Sequence, residues 1–332
     1  MELNVLYTSD ENYARHAGAS LYSLLVHNKS FEKINCYFVE NKISDGSKAK
    51  LLEIVSKFPN SNLKFIRFDR IKDKIRLNDK SGFAEIGYAR LLVSDLVPGD
   101  KLLYLDCDTI VNSSFEELWM VDLQGYYIAG VQDNPALYNL RVIGMSENDR
   151  YVNSGVLLLN LKKWREDALE KRLNEMLDQY NGFVPHHDQG IVNGVCRGYI
   201  KILPPKYNCM TQFFIYNANQ IKKLFHINMY YSQAELDEAI SNPVIIHYIS
   251  KFYDRPWFKG CIHPYRDKYI EAAQRCGWKV SLLPSVLKKD VKVRFFVFKH
   301  FPFFIYTLME WMLDIKRRRL LKKKYKYLGI KI

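Results

Sequence analysis

The chain has 332 residues, 48% of them hydrophobic and 14% aromatic, which supports a substantial buried core and excludes a disordered protein. Its formal charge of +13 sits at one end: from Leu287 onward fourteen Lys and Arg oppose three acids, a net of +11, and the rest is nearly neutral. A near-neutral body has no broad basic groove, so no nucleic-acid partner is expected.

Residues 3–7 read as a short apolar strand that ends in Thr8, Ser9, Asp10, Glu11 and Asn12. Tyr13, Ala17, Leu21, Leu24 and Leu25 then recur at helical spacing. Residues 34–39 form a second strand. Ser44 or Asp45 caps a helix carrying Leu51, Leu52, Val55 and Phe58, and residues 63–68 form a third strand. This alternation predicts an α/β fold with a doubly wound, mostly parallel sheet. Residues 69–86 are polar and read as a loop. A helix over 87–92 stops before Pro98 and Gly99.

The apolar run 102–105 then ends in two acids, Asp106 and Asp108, separated by Cys107. In a strand this spacing puts both carboxylates on one face, at the carboxyl end where open α/β sheets bind ligands. Two close carboxylates repel, and a divalent ion carrying a diphosphate is one solution; two solvated acids at a strand end are the plainer one. Residues 127–131 form a strand that leads to Asp133, and 137–150 reads as a loop. Asn153 and Gly155 lead into a buried strand over 156–159, followed by a helix over 162–180 with Leu169, Leu173, Met176 and Leu177 on one face. A short helix starts near 185–190, where His186 and His187 read as exposed. Strands follow over 199–203 and 243–248, the last delivering His247. Two carboxylates and an imidazole suit an octahedral ion with open positions, Mn²⁺ before Mg²⁺ or Ca²⁺.

The six cysteines form no C-x-x-C pair and read as reduced cytosolic thiols. No signal peptide is expected, and no charge-free run approaches the roughly 20 residues of a spanning helix.

Several segments together resemble glycosyltransferase family 8, whose members are retaining enzymes of the GT-A fold and include bacterial lipopolysaccharide galactosyl- and glucosyltransferases. The segments are 8–13, 88–91, 103–108 and 153–164, with Asp188-Gln189, His247-Tyr248 and Pro256-Trp257. The resemblance spans residue 3 to about 257. It implies a UDP-galactose or UDP-glucose donor, Mn²⁺ held by Asp106, Asp108 and His247, and an α-linked product. Thr8, Asp10 and Asn12, with Ser9 and Cys107 beside them, are implied at the nucleotide. Arg90, Asn153, Asp188 and Asp133 are implied at the sugars, and Gln189 under the anomeric carbon. Arg255 stands where the family carries a Lys before Pro-Trp, two residues further from the His. Gly82 replaces an acceptor-side His of related bacterial enzymes, which implies a different acceptor, a glycan or lipid-linked glycan.

Residues 1–285 thus read as a glycosyltransferase domain, and 286–332 as a basic-aromatic tail. In the tail Phe304, Leu308, Trp311, Met312 and Ile315 share one helical face, just before Lys316-Arg317-Arg318-Arg319 and Lys322-Lys323-Lys324. Such a helix suits an anionic membrane surface, placing the protein in the cytoplasm, peripheral to the inner face of the cell membrane. Packing of that face on the body or on a second subunit is the alternative. An inactive adaptor that binds membranes or polyanions is the competing function.

Overall fold

The computed structural model describes residues 1–75, 85–278, 281–327 and 329, so the position of Gly82 lies outside the described residues. In chain order the first half carries β1 (Glu2–Asp10), α1 (Glu11–His27), β2 (Lys33–Asn41), α2 (Asp45–Ser56), β3 (Ser61–Arg67), β4 (Lys101–Leu105), β5 (Thr109–Val111), α3 (Glu116–Trp119), β6 (Ile128–Gln132) and α4 (Leu137–Val142). The second half carries β7 (Val152–Asn160), α5 (Leu161–Glu166), α6 (Leu169–Gln179), α7 (His187–Val195), β8 (Ile200–Ile202), β9 (Cys209–Met210), α8 (Ala218–Phe225), α9 (Gln233–Ser241), β10 (Ile245–His247), α10 (Arg266–Arg275), α11 (Lys289–His300) and α12 (Phe303–Tyr327).

Seven strands form the main sheet in the order β3-β2-β1-β4-β7-β6-β8. Strands β1 to β4 pair in parallel, as the sequence alternation predicts, whereas β7 runs antiparallel to both β4 and β6. The start of β7 therefore lies beside the end of β4. Along the strands alternate residues face opposite cores: Leu3, Val5, Tyr7, Leu103 and Leu105 on one side, Leu6, Leu102 and Tyr104 on the other. A sheet buried on both faces is why these strands read as unbroken apolar runs.

A second, three-stranded sheet has the order β5-β10-β9. His247 pairs with Thr109 there, one residue beyond Asp108. His247 thus comes to the acids from a separate sheet, not from the edge of the main one.

Local structure departs from the sequence reading in three places. Residues 85–91, expected as an α-helix from 87, form a 3₁₀ helix. The expected helix over 162–180 is broken at Ala168, whose φ of 46° is left-handed, so α5 and α6 are separate. The expected loop over 137–150 contains α4. Helix propensity is a weak prior that tertiary packing overrides in each case.

The C-terminal segment forms two helices, α11 and α12, with Pro302 between them. Two tyrosines anchor α12 to the body. Tyr306 shares a buried hydrogen bond of 2.6 Å with the Tyr216 hydroxyl, and the Tyr325 hydroxyl donates to Phe183 O over 2.6 Å. The expected apolar face is left largely uncovered: Phe304, Leu308, Trp311 and Met312 are exposed and Ile315 is half-buried, with Phe304, Leu308 and Trp311 along a groove whose other wall includes Tyr138 and Phe225.

Tyr306→Ala removes a buried ring and leaves the Tyr216 hydroxyl without this partner, a loss of about 3 kcal/mol or more. We expect α11 and α12 to loosen, with limited proteolysis after residue 285 accelerating at least tenfold. Unchanged cleavage would show that other contacts hold the tail.

Candidate active site

A cleft of about 570 Å³ opens at the carboxyl ends of β1 and β4. Thr8, Ser9, Asp10, Arg90, Asp106, Cys107, Asp108, Asn153, Asp188, Gln189, His247 and Arg255 line it, all residues singled out in the sequence. Asn12 lies outside its lining on the first turn of α1, where it donates to Asp10 Oδ2 over 3.2 Å. Asp133 lies outside it too, behind Gln189. His186 is exposed and His187 half-buried, and both line the cleft.

Among the described residues, Asp106, Asp108 and His247 form a group whose ligand atoms all lie within 4.8 Å of one another. His247 Nε2 is 3.2 Å from Asp108 Oδ1 and 3.9 Å from Asp106 Oδ2. The orientation of the imidazole follows from a backbone donor. Gly155 N–H donates to Asn153 Oδ1 over 3.0 Å, which fixes that amide. Asn208 then donates its Nδ2 to the same oxygen over 3.0 Å and turns its own Oδ1 to His247 Nδ1, 2.9 Å away. The proton therefore sits on Nδ1, and Nε2 faces the carboxylates. A lone pair held against carboxylate oxygens is complementary to a cation, so these residues fit a divalent ion of the kind their donor set favours. Gly155 is also sterically required, since a Cβ there would lie 2.2 Å from His247 Cε1 and 2.6 Å from Asp106 Oδ2.

Two arginines balance the acids. Arg90 Nη2 donates to Asp106 Oδ1 over 2.9 Å, its Nη1 donates to Ser154 O over 2.8 Å, and its guanidinium stacks 4.1 Å from the Tyr104 ring centroid. Tyr104, missed in the sequence because it reads as one more apolar strand residue, donates to Asp106 Oδ1 over 2.8 Å and bonds Thr8 Oγ1 over 2.9 Å. Arg255 Nε donates to Asp108 Oδ2 over 3.0 Å. Burial disfavours the ionised form of Asp108, yet the guanidinium of Arg255 outweighs it and holds this carboxyl far below the ordinary range.

Asp188 stands in the first turn of α7, directly after two residues with left-handed φ, His186 at 60° and His187 at 53°. The turn is so tight that a Cβ on Gly190 would meet Pro185 O at 2.0 Å. Asp188 Oδ2 lies 2.9 Å from Arg90 Nε, whose hydrogen is directed instead to Gly87 O at 3.1 Å. Asp188 Oδ2 is thus buried without a hydrogen bond. Burial raises the Asp188 carboxyl to about 6, with Arg90 opposing and Asp106 adding to the rise.

Gln189 is heavily engaged. Its Oε1 accepts from Asn153 Nδ2, Ser154 N and Ser154 Oγ at 3.2, 3.0 and 3.3 Å. Its Nε2 donates to Asp133 Oδ2 and the Tyr151 hydroxyl at 3.2 and 3.1 Å. The Ser9 hydroxyl donates to Asp10 O and the Cys107 thiol to Thr8 O, so both side chains brace the strand ends. Asn208 carried no sequence signal, because it acts through Asn153 and His247, both far along the chain.

A carboxyl whose folded pKa of about 6 exceeds its ordinary 3.8 loses stabilisation as pH rises through that interval. Wild-type stability relative to Asp188→Asn should therefore fall between about pH 4 and 6 and then level off. Thermal unfolding of both proteins across that range measures it, and a pH-independent difference would exclude the shift.

The family model for glycosyl transferase family 8 matches residues 4–261. General stress protein A of Bacillus subtilis (strain 168) is 24% identical over 289 residues, covering 86% of this chain and 97% of that protein. The lipopolysaccharide 1,2-glucosyltransferase of Escherichia coli (strain K12) is 28% identical over 284 residues, covering 83% of this chain and 79% of that one. Among solved structures, the galactosyltransferase LgtC in complex with donor and acceptor sugar analogs matches with a TM-score of 0.64 at 23% identity, over 83% of this chain and 96% of that chain. That likeness shows the shared GT-A fold. The family match spans β4 and β5 with the acids in the turn between them, the glycine-containing start of β7 and His247, and this chain belongs to glycosyl transferase family 8.

Proposed function

We propose that the protein is a metal-dependent, retaining hexosyltransferase that moves glucose or galactose from a UDP-sugar to a glycan or lipid-linked glycan, forming an α-linkage. The observation that carries this reading is the Asp106–Asp108–His247 triangle in a cleft of nucleotide-sugar size. The names of its relatives support it: one acts in lipopolysaccharide glucosylation, and LgtC was solved with donor and acceptor sugars.

Asp106, Asp108 and His247 would hold Mn²⁺, with Mg²⁺ as a substitute. When bound, the ion neutralises the charge that develops on the departing UDP. The other contacts belong to the chain. Thr8, Ser9, Asp10, Asn12 and Cys107 bracket the place of the nucleotide. Arg255, bonded to Asp108 through Nε, keeps its terminal N–H groups for the diphosphate, where Arg binds bidentately. Arg90, Asn153 and Asp188 grip the sugar, and Asp188 Oδ2, ion-paired with Arg90 but accepting no hydrogen bond, is an acceptor waiting for a sugar hydroxyl. Asp133 holds the amide of Gln189. Three donors already on Gln189 Oε1 leave it a weak nucleophile. Attack by the acceptor on the face of the departing UDP therefore fits better than a covalent glycosyl-enzyme, with Gln189 steadying positive charge at the anomeric carbon.

Among the described residues no helix is long and apolar enough to cross a membrane. The exposed face Phe304, Leu308, Trp311 and Met312, continuous with the cationic turns 316–324, supports lying in the interface at the inner face of the cell membrane. Each Lys or Arg near an anionic surface contributes about 1 kcal/mol, falling with salt.

The deciding experiment mixes the protein with UDP-glucose or UDP-galactose and Mn²⁺ and measures UDP release. Turnover should vanish in EDTA and fall at least a thousandfold in Asp106→Asn and Asp108→Asn, with folding retained. No release from either donor would leave the adaptor reading. The anomeric coupling of the product in NMR reads the linkage, a small coupling being expected.

Cosedimentation with anionic vesicles tests the tail separately. Binding should weaken as salt rises and fall at least tenfold in Phe304→Ser/Trp311→Ser. Binding equal to wild type in that variant would exclude the interfacial face.

A further inference from the structure

Past His186 and Ile249, which line both, the active-site cleft continues into a second cavity of about 400 Å³. Arg294 of α11 and Tyr306, Glu310, Asp314 and Arg317 of α12 form part of its wall, opposite the body. The C-terminal helices thus reach the neighbourhood of the reacting centre, while their outer face stays exposed.

The charges in this cavity are paired, with one exception. Glu310 is bonded by Arg294, and Asp314 by Arg317 at 2.9 Å. Asp133 accepts from Gln189, Asn153 and Gln212 amides. Lys251 has no hydrogen bond and no ion pair among the described residues. Its ammonium is held between two rings instead, 4.9 Å from the centroids of both Tyr216 and Phe225. It lies in the stretch between His247 and Arg255.

We propose that this cavity is the acceptor site, that α11 and α12 complete it, and that Lys251 receives an anionic group, phosphate or carboxylate, on the acceptor saccharide. The inference rests on the donor reading above, since an acceptor has to reach the sugar beside Gln189. Two half-buried rings in its wall, Tyr138 and Phe225, provide apolar faces for a sugar ring. A half-buried cation among rings gains from an anionic partner because it is already partly stripped of water. Its environment agrees: burial lowers the Lys251 ammonium to about 8, Asp133 and Glu310 acting against the fall and Arg294 and Arg317 with it. An ammonium of that kind is still charged near neutrality and is strengthened by an incoming anion. The same helices that leave Phe304 and Trp311 exposed would then bring a membrane-borne acceptor to the cavity.

The test is an NMR titration of the full chain loaded with UDP and Mn²⁺, using galactose, galactose 6-phosphate and galacturonate as probes. UDP binding is titrated first; its absence would overturn the donor reading and this inference with it. With UDP bound, at least one anionic sugar should bind tenfold or more tightly than galactose, and which one does identifies phosphate or carboxylate. Lys251→Met should erase that preference and Lys251→Arg should keep it. Equal binding of the three sugars, or a preference that survives in Lys251→Met, overturns the acceptor assignment while leaving the donor reading intact.

Discussion

The structure depends on balancing carboxylates crowded at one edge of a sheet. Asp106, Asp108, Asp133 and Asp188 converge there, and like charges in a partly buried cleft cannot all ionise without compensation. The four find three answers. Arg90 lies between Asp106 and Asp188, Arg255 holds Asp108, and amides surround Asp133. The compensation is incomplete at two points. His247 Nε2 faces two carboxylates, and Asp188 Oδ2 has no hydrogen bond. A cation would answer the first and a sugar hydroxyl the second, in keeping with the nucleotide-sugar donor proposed above.

The antiparallel strand β7 is what lets this balance be built. Its backbone comes so close to Asp106 that Asp106 N–H donates to Gly155 O over 2.7 Å. Gly155 N–H starts the chain of amides through Asn153 and Asn208 that orients His247. Asn153 also donates to Gln189. One strand start thus orients the metal-type triangle and the residue proposed beneath the anomeric carbon, and a shift of that strand would disturb both together. Fully hydrogen-bonded networks of this kind rigidify a site, and an unpaired member would be costly.

The C-terminal helices have two faces with separate consequences. Tyr306 and Tyr325 dock inward, Tyr306 within the aromatic cluster that also contains Tyr216 and Phe252. Phe304, Leu308, Trp311 and Met312 are left exposed. A 25-residue helix so arranged is too polar to cross a bilayer yet exposes more apolar surface than solubility alone requires. A membrane surface on one side and an acceptor cavity on the other are the proposals that use both faces.

Much of this was legible in the sequence by itself. The β-α-β alternation of the first seventy residues, a helix cap at Ser44 or Asp45 and the apolar period of the tail are local patterns that local sterics express directly. Asp106 and Asp108, by contrast, follow β4 as expected but lie in the turn before β5 and not along a strand. Most of the candidate residues met in one cleft because each follows an apolar strand. The family motifs carried Gln189 and Arg255 as well. Only the tertiary structure decided the rest. Nothing in a strand's own sequence states its direction, so the antiparallel course of β7 and the arrival of His247 from a second sheet came from pairing partners far along the chain. Tyr104 and Asn208 look like ordinary strand and turn residues until Asp106 and His247 lie beside them. Which way the tail turned its aromatics was likewise set by what they met, because an amphipathic period shows that a face exists and only packing decides whether it is covered.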